Sequence, residues 1–468
     1  MPLRRALVLA LAILGCARSG PSGGSGSAVK VGPPRGAVVV VGGGALGPEI
    51  YRKFIELAGG PDAYIVAIPT AGGGAQYGAM TGTRAQFELA GAKNVKVLHT
   101  YDRAVAESDT FVAHIKRAGG VWFDGGRQFQ LADAYGGTKS EAAFHDVLAR
   151  GGVVGGSSAG ASILGSYMVR GAPSNDNGIM AHPVYGDKGF GFLRNTGIDQ
   201  HVVARERQPD IADSLLPKFP GMLFISEDEG TAWVVQGDDA EIIGRSKAFA
   251  YNGKANDPGR PFLTLWPGDR YNLAERVVTR RAIEGTGLTQ AFVDSLFGAS
   301  VGPSMATVLV AQDGKVLVNS AYNVPSPRRY MPATTIPNFD LGDISAALNG
   351  VIAQDTAPYG QAIQRRVRGP SGMPKTTVDT AARTFRSNVD ELYRTELAIF
   401  SRAEGPVPGW QLDTHRNQSR QAAYVLKDGR RGAFVRYPAR QVTIIILSDS
   451  DTVHASAIAD RIAERLLP

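Results

Sequence analysis

Gly151-Gly152-Val153-Val154-Gly155-Gly156-Ser157-Ser158-Ala159-Gly160-Ala161 begins apolar and ends in small residues only. Val153 and Val154 suit the end of a buried strand. Gly156, Ser158 and Gly160 then spell G-x-S-x-G, the pattern of a sharp strand-to-helix turn that presents a serine hydroxyl. Such a turn is strained and crowded, so its neighbours must be small. The backbone N–H of the next residue, Ala159, is then free to stabilise an oxyanion. The competing reading is a Gly/Ser/Ala loop that packs a helix close to a sheet.

Upstream of this stretch, apolar runs at residues 37–41, 64–68, 95–98 and 120–123 alternate with helical patterns ending at 57 and spanning 109–118 and 140–149. The alternation predicts an α/β fold, a parallel sheet with helices on both faces. Functional groups in such folds gather beyond the carboxyl ends of the strands. Ser158 stands at one such end. Asp124-Gly125-Gly126-Arg127-Gln128 stands at another, directly after the strand at 121–123. Its glycines let a backbone N–H approach a reacting carbonyl, with Gly126 as the candidate donor. Gln128 is a candidate to orient substrate. An ordinary strand-to-helix turn is the other reading.

The chain has 468 residues, room for two or three domains, with 43% hydrophobic and 20% charged residues, as in ordinary globular protein. Its formal charge is +7, yet there is no Lys/Arg run and no basic-aromatic interleaving, which argues against a nucleic-acid partner. The one cysteine is Cys16. Arg4 and Arg5 precede an apolar run at residues 6–14, too short to span a bilayer and read as an export signal. Ile13-Leu14-Gly15-Cys16 resembles a bacterial lipobox, which implies a lipidated Cys16 as the new N-terminus after removal of residues 1–15. The alternative is an ordinary signal peptide cut near Ala17. Residues 19–27 are Gly/Ser-rich and read as a tether within the segment 16–34. The expected location is the bacterial cell envelope, reached through the lipid anchor only. Ala17 rather than Asp after the cysteine favours an outer membrane where the cell has one.

Three further features bear on chemistry. Gly42-Gly43-Gly44-Ala45-Leu46-Gly47 follows a strand and precedes a helix, the setting of a dinucleotide-binding turn. The next strand runs into Pro69-Thr70-Ala71-Gly72-Gly73 with no acidic residue, so a dinucleotide enzyme ranks third. His201 closes Ile198-Asp199-Gln200-His201, with His182 as the spare candidate base. Glu227-Asp228-Glu229 is either a solvated turn or a carboxylate set that orients an imidazole. The seven histidines show no metal-ligand spacing, so no metal or cofactor is called for.

The segments Val121-Trp122-Phe123-Asp124-Gly125-Gly126-Arg127-Gln128, Gly156 to Ala161, Asp199-Gln200-His201 with Arg205 and Arg207, and Asp228-Glu229-Gly230-Thr231-Ala232 occur in the order of the cyanophycinase and dipeptidase E family. The resemblance covers residues 35–283 and closes on Pro267-Gly268-Asp269-Arg270-Tyr271-Asn272-Leu273. It implies a serine peptidase on a class I glutamine-amidotransferase-like α/β fold, with Ser158 as nucleophile, His201 as base and Glu229 as its orienter. It implies exopeptidase action on aspartyl peptides or a cyanophycin-like polymer, with Gln128, Arg205 and Arg207 on the substrate, and leaves room for a homodimer. Asp210 stands where cyanophycinases usually carry a third arginine, and Arg127 where an acid or amide is more usual. The competing class is a surface-binding lipoprotein that keeps the fold without the chemistry.

Residues 284–287 read as a hinge. Beyond it come a hairpin turning at Asp313-Gly314, late strands at 432–437 and 442–447, and a terminal helix at 454–467. This order resembles the serine β-lactamase and penicillin-binding fold, an α+β domain over residues 290–468. That family needs S-x-x-K after the hairpin; here Asp343 and Ala346 stand at the corresponding places, and Lys427-Asp428-Gly429 is a faint echo of its K-T-G strand. The expectation is a degenerate, catalytically dead domain.

Overall fold

The structure, a computed structural model, describes residues 31–78, 82–171, 178–180, 186–298, 301–325, 329–335, 337–402, 408–426 and 428–468. The export signal, Cys16, most of the tether, His182 and Lys427 lie outside the described residues. No helix among the described residues is long and apolar enough to cross a membrane.

Fourteen described strands precede residue 281: β1 (Ala37–Val41), β2 (Tyr64–Ile68), β3 (Asn94–Val97), β4 (Gly120–Phe123), β5 (Val153–Ser157), β6 (Gly165–Tyr167), β7 (Leu193–Gln200), β8 (Leu223–Glu227), β9 (Thr231–Gln236), β10 (Asp239–Gly244), β11 (Ala248–Tyr251), β12 (Phe262–Leu265), β13 (Arg270–Asn272) and β14 (Val277–Arg280). They form two sheets. The larger runs β14-β13-β10-β9-β1-β5-β4-β2-β3 and the smaller β12-β11-β8-β7-β6. In the larger sheet β1, β5, β4, β2 and β3 are parallel, and β9 joins β1 antiparallel. The fold is mixed α/β with a large parallel-strand sheet.

The central strands are buried on both faces, which is why β1 is a nearly pure valine run without polar alternation. On one face the helix Pro48–Leu57 packs Tyr51 and Phe54 against Trp122 and Phe87, with ring centroids 5.0–5.9 Å apart. Truncating Trp122, 1% exposed, would leave a large cavity at a cost of about 3–5 kcal/mol. The other face carries the helices Asp109–Arg117 and Lys139–Ala149 and also the small sheet, through Ile198, Ile225 and Ala250. Helices on both faces are therefore present, but a second sheet shares one of them. Its strands β8, β11 and β12 are short apolar runs like those of the first, so the sequence pattern does not separate the two.

The C-terminal region is sheet-rich. The strands β15 (Ala306–Gln312) and β16 (Lys315–Tyr322) form a hairpin whose turn residues Asp313 and Gly314 have φ of 51° and 73°, the two positive values of a tight hairpin turn. Short strands β17 (Phe339–Asp340), β18 (Thr377–Asp379) and β19 (Thr384–Ser387) form a small sheet. With β20 (Gln411–His415), β21 (Gln418–Tyr424), β22 (Gly432–Tyr437) and β23 (Val442–Ser448), the hairpin builds a six-stranded antiparallel sheet in the order β16-β15-β23-β22-β21-β20. The helices Gln290–Gly298 and Ala455–Leu466 cover one face, and Ile344–Ile352 and Val389–Ala398 the other.

The two regions meet through charged groups. Lys247 Nζ lies 2.6 Å from Asp390 Oδ2 and Arg394 Nη2 2.6 Å from Asp228 Oδ2, all deeply buried; Lys375 Nζ pairs with Glu206 at 2.5 Å.

Candidate active site

The site forms where the two sheets come together. Ser158 follows β5 of the large sheet, and its N–H donates to Val41 O at 2.9 Å, tying the turn to β1. His201 follows β7 of the small sheet, and its N–H donates to Gly42 O at 3.0 Å. Residues 228–230 are the turn that leaves β8 in the small sheet and enters β9 in the large one, and Glu229 lies in it. Three chain segments from two sheets thus converge. His201 Nε2 lies 2.9 Å from Ser158 Oγ, and His201 Nδ1 lies 2.7 Å from Glu229 Oε1.

The glycines of the elbow are explained by close approach. A Cβ on Gly156 would sit 2.3 Å from Gly160 O, and one on Gly160 would sit 2.0 Å from Phe123 O. Neither position admits a side chain, so the pattern G-x-S-x-G follows from the packing. Ser158 itself has φ 57° and ψ −115°, and His201 has φ 55°. Such backbone costs about 1–3 kcal/mol per residue and persists where surrounding structure enforces it.

The loop Gly42-Gly43-Gly44 belongs to this site. A Cβ on Gly43 would lie 2.3 Å from His201 Nε2, one on Gly44 2.6 Å from Glu229 Oε2, and one on Gly42 2.2 Å from Asp228 O. The imidazole and the carboxylate thus lie directly against the backbone of this loop. The dinucleotide reading of this loop is therefore overturned: its glycines make room for His201 and Glu229.

The neighbouring carboxylates are engaged elsewhere. Asp199 is fully buried and accepts from Arg170 Nε at 2.7 Å and Nη2 at 2.8 Å. Asp228 Oδ1 accepts from the N–H groups of Val203 and Ala204, and Oδ2 from Ser246 and Arg394. Burial works against its charge, but Arg394, Ser246 and the backbone N–H groups outweigh it and hold the carboxyl below its ordinary range. Glu227 is also fully buried; burial, reinforced by Asp199 and Asp228, pushes its carboxyl well above the ordinary range. The hydrogen bond from His201 holds the Glu229 carboxyl below its ordinary value.

Two of the expected substrate-binding residues are buried and hydrogen-bonded within the protein. Gln128 is 4% exposed, and its amide donates to Val169 O at 2.5 Å and Arg170 O at 2.8 Å; it ties a helix start to a neighbouring strand end. Arg207 is 6% exposed, with Nη1 3.2 Å from Gln200 O and 3.8 Å from Asp199 Oδ1, and burial pulls its guanidinium down to about 10. Arg205 is exposed. Asp210 accepts from Arg170 Nη2 at 2.5 Å, so it belongs to the same buried network as Asp199. Arg170 was not picked out from the sequence; the available signal was a buried strand carboxylate, Asp199, that needs a cation. At the Gly-Gly loop, a Cβ on Gly125 would lie 3.2 Å from Ser158 Cβ, while one on Gly126, with φ 143°, would lie 1.9 Å from Ala71 O. Gly125 thus lies against the serine, and Gly126 shapes the loop beside it.

Comparison with known proteins identifies the family. The family described as Peptidase family S51 matches residues 38–243. The cyanophycinase of Geminocystis herdmanii is 32% identical over 228 residues, covering 47% of this chain and 82% of the relative. The cyanophycinase of Nostoc sp. is 31% identical over 268 residues, covering 52% of this chain and 87% of the relative. Among solved structures, a peptidase from an acI-B1 Actinobacterium is 24% identical, covers 51% of this chain and 97% of its own, and superposes with a TM-score of 0.41. With a relative more than 30% identical matched over four-fifths of its length, the chain belongs to peptidase family S51 and is a serine-type peptidase.

Proposed function

We propose that this peptidase cleaves amide bonds of aspartyl peptides or a cyanophycin-like polymer, as an exopeptidase working through an acyl-enzyme. The observation that carries the reading is the continuous line from Ser158 Oγ to His201 Nε2 at 2.9 Å and from His201 Nδ1 to Glu229 Oε1 at 2.7 Å. Ser158 attacks the carbonyl carbon while His201 takes its proton. Glu229 fixes the tautomer and stabilises the imidazolium. Ala159 is the first residue of its helix, so its N–H has no partner within that helix and is free for the oxyanion. A second N–H comes from the Gly125-Gly126 turn, and one good donor contributes about 3–4 kcal/mol. His201 then protonates the leaving amine, and water releases the acyl group from Ser158. Arg205, exposed beside the His201 turn, binds a substrate carboxylate. The cyanophycinase relatives support the substrate class. The test is to incubate the purified protein with β-aspartyl-arginine polymer and, separately, with aspartyl dipeptides. Release of dipeptide from the polymer is expected, and turnover of neither would overturn the assignment.

We also propose that the mature chain is held at the cell envelope through lipidated Cys16; the lipobox-like Ile13-Leu14-Gly15-Cys16 and the Gly/Ser-rich tether support this. Cys16→Ser should release it from the membrane fraction; retention of that variant after signal removal would refute the anchor. For residues 290–468 we propose a β-lactamase-like unit without its serine–lysine pair. The hairpin at its start, the antiparallel sheet and the closing helix support it.

A further inference from the structure

Asp228 stands between Glu227 and Glu229 in sequence and is fully buried. Its Oδ1 accepts from Val203 N at 3.1 Å and Ala204 N at 2.9 Å, in the turn that begins at His201. Its peptide unit leads directly into Glu229. One carboxylate therefore grips both segments that meet at the imidazole. Its Oδ2 accepts from Ser246 Oγ at 2.6 Å and from Arg394 Nη2 at 2.6 Å. Arg394 lies on the helix Val389–Ala398, 166 residues away, and is 3% exposed. Its Nη1 donates to Gly372 O at 3.0 Å, and Nη2 also reaches Ser246 Oγ at 2.9 Å. Around it, Asp390 of the same helix pairs with Lys247, and Arg245 donates to Pro370 O at 3.2 Å. The guanidinium is thus held from both regions, and none of these groups reaches Ser158.

We propose that Arg394 is a positioning residue for the hydrolysis: through Asp228 it fixes the turn that carries His201 and the backbone that carries Glu229, so that the C-terminal region completes the peptidase site. The inference rests on the Ser158–His201–Glu229 reading. It gives the C-terminal region a task in catalysis that needs no active serine of its own. Burial alone would favour the protonated form of Asp228, and a protonated carboxyl holds two backbone N–H groups less firmly than a carboxylate. Without Arg394 the His201 turn loses its clamp and the imidazole drifts from Ser158.

The test compares full-length Arg394→Met, Arg394→Lys and Ser158→Ala on β-aspartyl-arginine polymer, with labelling by a fluorophosphonate as a second readout. Arg329→Ala serves as the control, since Arg329 crosses the same divide in an exposed pair with Asp213. Arg394→Met is expected to lower kcat and the labelling rate at least about tenfold with KM changed less than about twofold, because misalignment acts on the reaction rather than on binding. Arg394→Lys, which keeps the charge, should recover part of the loss, and Arg329→Ala should match the wild type. Should Arg394→Met fail to fold by circular dichroism, the double variant Asp228→Asn/Arg394→Met removes both charges and takes its place, with the same expected kcat. A folded variant of either kind with wild-type kcat, while Ser158→Ala is inactive, overturns the inference alone. Full activity in Ser158→Ala overturns the triad reading, and the inference with it.

Discussion

Two helix starts invite comparison, one in each region. Ser158 caps the helix Ala159–Ser162 with φ 57° and ψ −115°, and the glycines around it stand so close to neighbouring backbone that no side chain fits. Asp343 precedes the helix Ile344–Ile352 with an ordinary φ of −68° and ψ of −16°, and both it and Ala346 are exposed. The first start is held in a conformation that the chain would not adopt unaided, with an imidazole 2.9 Å from the hydroxyl. The second is relaxed and open. The contrast teaches that a working position shows itself in enforced strain and in close approach, more than in a match to a short pattern.

The comparison breaks most sharply at Ser158. We expect Ser158→Ala to lower kcat by about a million-fold, the loss typical when the nucleophile of such a unit is removed. The small side chain suits the turn, so circular dichroism should be unchanged. Ser157→Ala should cost far less; the reverse ranking would move the nucleophile. Next comes Glu229→Gln, which keeps the shape but offers the imidazole an amide. Turnover should fall by up to about 10⁴-fold. Unchanged kinetics would dissociate Glu229 from the chemistry.

The central strands of the large sheet were legible because buried parallel strands read as unbroken apolar runs: β1, β2 and β4 each occupy the residues that their pattern marks. The elbow was legible because only glycine fits beside it. What the sequence could not show is the direction in which a side chain faces. Gln128 follows two glycines at a strand end and reads as a substrate contact, yet its amide is spent on two carbonyls 41 and 42 residues away. Arg207 lies two residues beyond exposed Arg205 and faces the interior. The Gly42–Gly44 loop carries a nucleotide-like spacing because it too must be approached closely, but by His201 and Glu229. The Arg170–Asp199–Asp210 network and the Asp228–Arg394 pair join segments 29 to 166 residues apart, and no local pattern records such pairings.

Gly43 sharpens the comparison with a smaller effect. A methyl group there would lie 2.3 Å from His201 Nε2, at a backbone φ of 92°. The imidazole must then move by about an ångström, and misplacement on that scale costs about 100-fold. Gly43→Ala should therefore lower kcat about 100-fold with a smaller change in KM, whereas an equal loss in both would point to a collapsed site. Glu227 offers a milder probe of the same seam. Burial pushes its carboxyl well above the ordinary value of 4.5, so the folded chain holds the proton more tightly than the unfolded chain. As pH rises above that unfolded value, the wild type should lose stability relative to Glu227→Gln, until the folded group ionises. Urea unfolding of both proteins between about pH 4 and pH 8 measures the difference; a gap that closes as pH rises would show that Glu227 is ionised in the fold.

The smallest effect is expected at the second helix start. Fluorescent penicillin acylates a serine whose hydroxyl is activated by a neighbouring base and whose ester is shielded from water. Under the proposed β-lactamase-like reading, Asp343 has a carboxylate at the serine's place and Ala346 no basic group at the lysine's, and both side chains face solvent. The wild type should therefore remain unlabelled. The double variant Asp343→Ser/Ala346→Lys introduces the residue types of an S-x-x-K pair, yet it should remain unlabelled too. The backbone at 343 is relaxed, and an exposed lysine stays protonated and cannot serve as a base. Stability should change by no more than about 0.5 kcal/mol, as for other surface substitutions, and peptidase turnover should be unchanged. Labelling of the double variant would mean that residue identity alone can build such a site on this helix, and the distinction between an enforced and a relaxed helix start would lose its force.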